Sequence, residues 1–256
     1  MKIVVCIKQV PDSTAKVIVE NGKISWGDAP LIMNPWDEYA MEAALQQKEA
    51  LGGSVTAVTI GDESSKEALK RALAMGADDA ILICDPVLVN MDTQATAQVL
   101  AAAIRKIGAV DMAFFGRQAI DGDAGLVPAQ TARLLGWPAL TLASVIKIEA
   151  GSVRVERGIE EGRQILTAKL PAVFSLTKDF GEPRYPSFMG IRKASRAEIP
   201  TWSLGELGIA APASVIAWSE IMNPPSREVT CDFITGASPE EIAETLANKI
   251  LAEKVL

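Results

Sequence analysis

Four short, nearly unbroken apolar runs mark the first half of the chain, at residues 3–7, 55–60, 80–83 and 112–115. Such runs read as strands buried on both faces of a parallel sheet, where neither side of the pleat meets water. Stretches of helix length with an apolar stripe lie at 38–51, 64–75 and 93–107, and another, 127–135, follows the fourth run. The alternation predicts βαβ units. Asp37, Asp62 and Asp92 stand where helix starts need acceptors for their open N–H groups, and Gly52-Gly53, Gly76 and Gly108 stand where the helices should stop.

From about Leu140 the period changes. Residues 144–149, 152–158 and 164–169 alternate between apolar and polar, with breaks at Ala150-Gly151 and Glu161-Gly162, which predicts an antiparallel meander leading into a buried run at 172–176. Past Pro200 the pattern weakens around Pro212, Pro224 and Pro225. A clean helix then closes the chain: Ser238 as cap, Pro239 at the first position, Glu240-Glu241 in the first turn, and an apolar stripe of Ile242, Leu246 and Ile250. Two regions are expected, an α/β domain over 1–200 and, over 201–256, an arm plus helix that lies on a neighbouring surface.

Composition narrows the chemistry. The 256 residues are 49% hydrophobic and 22% charged, enough apolar material for one α/β core. A net charge of −7 removes the driving force for general nucleic-acid or anionic-membrane binding, so partners should be proteins or small molecules. No run is long enough to cross a membrane, and the start, Met1 to Lys8, is too soon charged for a signal peptide; the expected location is cytoplasmic. With no histidine, Ser-His-Asp and Cys-His mechanisms and Cys/His zinc sites are excluded. Cys6, Cys84 and Cys231 are far apart, and the first two read as core thiols ending apolar runs.

In an open parallel sheet, ligands bind beyond the carboxyl ends of the strands. Four loops there are distinctive: Lys8 to Asp12, Asn34 to Asp37, Gly61-Asp62, and Gly116 to Val127. In the last, Gly116 permits a turn after Phe114-Phe115, and Gly122, Ala124 and Gly125 let the main chain approach a ligand just before a helix start. Open N–H groups and a positive helix end suit a phosphate. A Gly-rich connection with no ligand fits the same glycine spacing. Neither the P-loop pattern nor Gly-x-Gly-x-x-Gly occurs.

Gly116-Arg117-Gln118-Ala119-Ile120-Asp121-Gly122-Asp123, with Val5 to Asp12, Met33-Asn34-Pro35, Ala72 to Asp78 and Glu182-Pro183-Arg184-Tyr185-Pro186, resembles the β subunit of electron-transfer flavoproteins, collinearly from Met1 to about Lys193. The resemblance implies an adenine nucleotide, AMP or a second FAD, contacted by Cys6, Asn34, Pro35, Trp36, Asp37 and Ile60. The loop Gly116, Arg117, Gln118, Ala119, Ile120, Asp121, Gly122, Asp123, Ala124, Gly125, Leu126 and Val127 completes that site. It also implies a redox FAD shared with a larger α subunit, with Trp36 lying towards that flavin or capping the first helix in the core. The segment 182–196 resembles the family's recognition loop, with Phe188 as an exposed anchor beside Met189 and Ile191 for an acyl-CoA-type dehydrogenase or other redox partner. In the alternative, Phe188 closes the core beneath the sheet.

The chain departs from the family pattern in places. Asp121-Gly122-Asp123 and Gln9-Val10-Pro11-Asp12 look like the electron-bifurcating group, whereas Ala124 and Leu126 stand where that group usually carries Thr and Gln. The fold expected is thus α/β: a parallel, doubly wound sheet with adenine nucleotide α-hydrolase-like or flavodoxin-like layers, an antiparallel extension, and a C-terminal arm plus helix. The function expected is a non-hydrolytic electron carrier. Its rivals are a stand-alone nucleotide-binding regulator of the universal-stress type and an enzyme using Asp121 and Asp123 as a metal-binding carboxylate pair.

Overall fold

A computed structural model describes residues 1–149, 151–223, 225 and 230–253. Ala150 in the predicted meander break, Pro224 in the arm and the final residues 254–256 lie outside the described residues. The chain divides into two compact units, Met1–Ile221 and Met222–Leu256.

The first unit opens with strand β1 (Lys2–Cys6), followed by a small excursion of four three-residue strands. Of these, β2 (Gln9–Pro11) pairs with β5 (Leu31–Met33), and β3 (Ile18–Glu20) pairs with β4 (Lys23–Ser25), both antiparallel. Helix α1 (Pro35–Leu51), strand β6 (Ser54–Ile60), helix α2 (Lys66–Met75), strand β7 (Asp79–Ile83), helix α3 (Thr93–Ile107), strand β8 (Met112–Gly116) and helix α4 (Val127–Leu135) then alternate as the pattern predicts. The meander follows as β9 (Ala139–Glu149), β10 (Ser152–Ile159) and β11 (Gly162–Lys169), and β12 (Ala172–Leu176) returns parallel to both β8 and β9. Helix α5 (Phe188–Ala194), the two-residue strand β13 (Thr201–Trp202) and helix α6 (Leu204–Leu207) complete the unit.

Nine of these strands form one sheet in the order β11-β10-β9-β12-β8-β1-β6-β7-β13. The chain leaves β1 towards β6 and β7, then crosses back to place β8 on β1's other side. Between β1 and β8 the winding therefore reverses, and adjacent loops diverge to opposite faces and leave a crevice at the carboxyl edge.

Both faces are covered. Alternate residues of β1 serve different layers: Ile3 and Val5 pack with Met41 and Leu45 of α1 and Leu69 of α2, while Val4 and Cys6 belong to the layer of Val99 and Ile104 of α3 and Ala132 of α4. Fully burying each such aliphatic side chain contributes about 1.5–3 kcal/mol. Phe114 and Phe174, opposite one another on β8 and β12, stack with ring centres 4.8 Å apart and join the parallel sheet to its antiparallel extension.

Two helix starts differ from expectation. Helix α1 begins at Pro35 rather than Glu38, with Asn34 in the cap position and proline at the first turn, where its missing N–H costs nothing. Asp37 is consequently not a cap but a buried residue inside that turn. The second helix starts at Lys66 because a 3-10 turn, Glu63–Ser65, intervenes, with Asp62 accepting the Ser64 N–H. Asp92 caps α3 as expected, accepting from Ala95.

In the second unit, helix α7 (Pro239–Ala252) is capped by Ser238, which accepts from Glu241. Its stripe of Ile242, Leu246 and Ile250 is exposed within this chain. Among the described residues no helix is long and apolar enough to cross a membrane.

Candidate functional site

At the switch point, Cys6 of β1 and Phe115 of β8 are register neighbours, so Lys8 and Gly116 leave the sheet side by side. The first turn of α1 packs onto this exit. A Cβ on Gly116 would sit 2.4 Å from an Asp37 carboxylate oxygen and 2.6 Å from the Trp36 carbonyl carbon, so any larger residue would push α1 away. This close approach, and not a positive φ, is why glycine stands there; the turn expected at Gly116 is carried instead by Asp123 and Gly125, at φ of 47° and 62°.

The fit lets Asp37 bridge the two strand exits. One carboxylate oxygen accepts the Lys8 N–H at 2.7 Å and the other the Gly116 N–H at 3.2 Å. Burial raises its pKa to about 7, against the pull of those two N–H donors, the Asn34 side chain and the Lys8 charge. Beside it, burial pushes the Cys6 thiol far up, and the negative charge of Asp37 adds to that, so Cys6 is a protonated packing group with no nucleophilic character.

Asn34 fastens the loop from the other side. Its amide NH₂ donates to the Gln118 carbonyl at 2.9 Å and its oxygen accepts the Ile120 N–H at 3.2 Å, so one buried side chain holds two main-chain points of residues 117–126. The Lys8 ammonium reaches an Asp121 oxygen at 2.5 Å, and the Gln118 amide donates to Asp123 at 2.7 Å. The carboxylates expected as a metal pair are thus engaged separately, and among the described residues no group of three Asp, Glu, Cys or His side chains gathers.

What remains open in this loop suits an anion and its sugar. Gly122 to Leu126 are exposed, a Cβ on Gly122 would meet nothing within 4 Å, and among the described residues the N–H groups of Ala124, Gly125 and Leu126 meet no acceptor. Leu126 provides no side-chain cap for α4, whose first turn holds Pro128, a residue with no N–H, while the Gln130 N–H donates to the Leu126 carbonyl at 3.0 Å. The second oxygen of Asp121 is buried without a partner, an acceptor fitted to a hydroxyl donor such as a ribose and not to a phosphate. Main-chain donors and an orphaned acceptor in one loop fit a nucleotide better than they fit a plain connection.

The other expected residues fall around this edge. Ile60 ends β6 and joins the apolar layer that also takes Cys6, Phe115 and Val127. Pro35 and Arg117 are exposed, and Ala119 is half-buried. Trp36 is half-buried and lies outside both core layers, with the Arg117 guanidinium 5.6 Å from its ring and Tyr39 at 6.1 Å. It is not the core residue of the alternative reading. Sequence reasoning passed over Thr93 and Gln130, which carry buried, unpartnered oxygens in the first turns of α3 and α4. Both turns open on the carboxyl edge, and their place just inside a helix start was the available signal.

On α5, Phe188 is 82% exposed, Met189 69% and Ile191 53%. Phe188 therefore does not close the core.

A family profile for the electron transfer flavoprotein domain matches residues 25–207. The chain is 37% identical to the electron transfer flavoprotein subunit beta of Megasphaera elsdenii and 36% identical to subunit CarD of the caffeyl-CoA reductase-Etf complex of Acetobacterium woodii, each over the full length of both chains. It is 41% identical to protein FixA of Azorhizobium caulinodans over 82% of this chain and 77% of that one. The chain belongs to the electron-transfer flavoprotein β-subunit family. The matched span of this β-family chain contains α1, the 116–127 loop and the Phe188 helix, and the universal-stress reading gains no support from these matches.

Proposed function

We propose that the chain acts as the β subunit of a cytoplasmic, heterodimeric electron carrier that holds an adenine nucleotide in the 116–127 loop and docks redox partners through α5. The observation that carries this reading is the staple of Asn34 and Asp37, which fixes residues 116–120 over the switch-point crevice while leaving the amides of residues 124–126 open. Those amides and the α4 start are suited to phosphate, and the free oxygen of Asp121 to a ribose hydroxyl. The bound nucleotide is AMP, or the adenylate half of a second FAD; the two share this chemistry.

FAD, when bound with the α subunit, supplies the electron-carrying chemistry. This chain's residues position and shield it: Trp36, backed by Arg117, is an aromatic surface for the edge of a flavin ring. No residue here makes or breaks bonds. Similarity to a subunit of a caffeyl-CoA reductase-Etf complex supports an acyl-CoA-type oxidoreductase as redox partner, and the Asp121-Gly122-Asp123 pattern supports bifurcation from NADH. Arg192, Lys193 and Arg196 beside the Phe188 patch would steer an acidic partner.

The test is to co-express the chain with its α partner, denature the purified yellow complex and count the nucleotides released. One FAD plus one AMP contradicts the bifurcating form, and two FAD contradict the AMP form. A colourless homodimer contradicts the whole reading.

A further inference from the structure

The exposed patch of α5 follows a loop, 181–187, that contributes little to either core layer, yet that loop carries the densest ion-pair fork among the described residues. Arg184 donates from Nε to a Glu42 oxygen at 2.7 Å and from Nη2 to the other at 3.0 Å, while its main-chain N–H reaches Glu42 at 3.1 Å. The same guanidinium spans Glu49 with Nη1 at 2.5 Å and Nη2 at 3.2 Å. Glu42 and Glu49 lie two turns apart on α1, and Glu42 is only 5% exposed, further fixed by the Gln46 amide at 2.9 Å. A planar guanidinium gripping two carboxylates on a packed helix has one geometry, unlike a lysine ammonium.

The loop's other end is fixed just as closely. Ser187 caps α5 by accepting the Gly190 N–H at 2.9 Å, and a Cβ on Gly190 would sit 2.3 Å from the Ala74 carbonyl at the end of α2. Pro183 and Pro186 restrict the chain between. Tyr185, Phe188, Met189 and Ile191 therefore project from a frame bolted to α1 on one side and α2 on the other. Their exposure is held in place and not the product of a loose loop.

We propose that Arg184 is the positioning residue of the docking face: its fork on Glu42 and Glu49 presets the Phe188 patch, so that binding a redox partner costs little ordering of the loop. This rests on the docking reading given above. Arg184 acts through Phe188 and its neighbours, as a positioning residue.

The experiment uses the complex with its α subunit and a purified acyl-CoA dehydrogenase as electron donor, and measures KM for the complex against kcat. Arg184→Lys keeps the charge but loses the fork, and Glu49→Gln removes half of it without stranding the buried Glu42; each is combined with Phe188→Ala. The expected result is a KM raised roughly tenfold by Arg184→Lys and less by Glu49→Gln. Flavin content and kcat stay unchanged, and neither change adds to the effect of Phe188→Ala. An unchanged KM in Arg184→Lys, or a full additional effect in the Phe188→Ala background, overturns the proposal. Phe188→Ala without any effect overturns the docking reading, and this inference with it.

Discussion

A carboxylate oxygen of Asp37 accepts the N–H of Gly116 across 3.2 Å, joining the first turn of α1 to the end of β8. Because the other oxygen takes the Lys8 N–H just past β1, one buried acid ties together the exits of the two strands that flank the switch point.

That acid makes stability depend on pH. Its carboxyl titrates at about 7 in the folded chain against a usual 3.8, so the folded state binds the proton more tightly. The resulting stabilisation is complete below pH 3.8 and is lost as pH rises through 7. Asp37→Asn should therefore flatten the fall in Tm between about pH 4 and 7, a component on the order of a few kcal/mol. Thermal melts of both proteins across that range check it; parallel curves would show that Asp37 titrates normally.

Gly116→Ala should destabilise the fold by about 1–3 kcal/mol, because its Cβ would meet Asp37 and Trp36 at under 3 Å. Gly122→Ala, where a Cβ meets no atom within 4 Å, should leave stability nearly unchanged. Denaturant melts of the pair separate a packing glycine from an open one.

Asn34→Ala removes both fastenings of the loop at Gln118 and Ile120, at a net cost of about 1 kcal/mol each. The expected outcome is faster loss of the adenine nucleotide on dialysis, by roughly tenfold, with the sheet intact by circular dichroism. Retention equal to the parent protein would show that the loop orders itself without Asn34.

Ala124→Thr should do the opposite. A hydroxyl at this exposed position adds a donor to a phosphate oxygen, a bond worth about 1.5–3 kcal/mol to a charged acceptor, or roughly tenfold to hundredfold in affinity. Isothermal titration of nucleotide into the stripped complex measures it, and unchanged affinity would place the phosphate elsewhere.

Much of this was legible in the chain itself. The runs at β1, β6, β7 and β8 show their burial in unbroken apolar sequence, and Asp92, Gly108 and Ser238 mark helix ends by local chemistry that needs no tertiary partner. The exposure of Phe188 was readable because the segment that presents it is short and local. What escaped was set by partners distant in sequence. Asp37 looks like a helix cap until Lys8, just past β1, and Gly116, the last residue of β8, come to it, and Asn34 shows no sign of its tie to a loop more than eighty residues on. Strand β13 has two residues and no periodicity; it exists because Leu82 and Cys84 of the neighbouring edge donate to Pro200 and Trp202.

In the proposed function, main-chain N–H groups before α4 hold a nucleotide phosphate. Amide hydrogen exchange on the native heterodimer, before and after the nucleotide is stripped, tests it most directly. Slowed exchange at Ala124, Gly125 and Leu126 in the loaded complex, reversed on stripping, is the predicted result. Equal exchange in both states, with the nucleotide shown to be bound, would place the phosphate away from these amides.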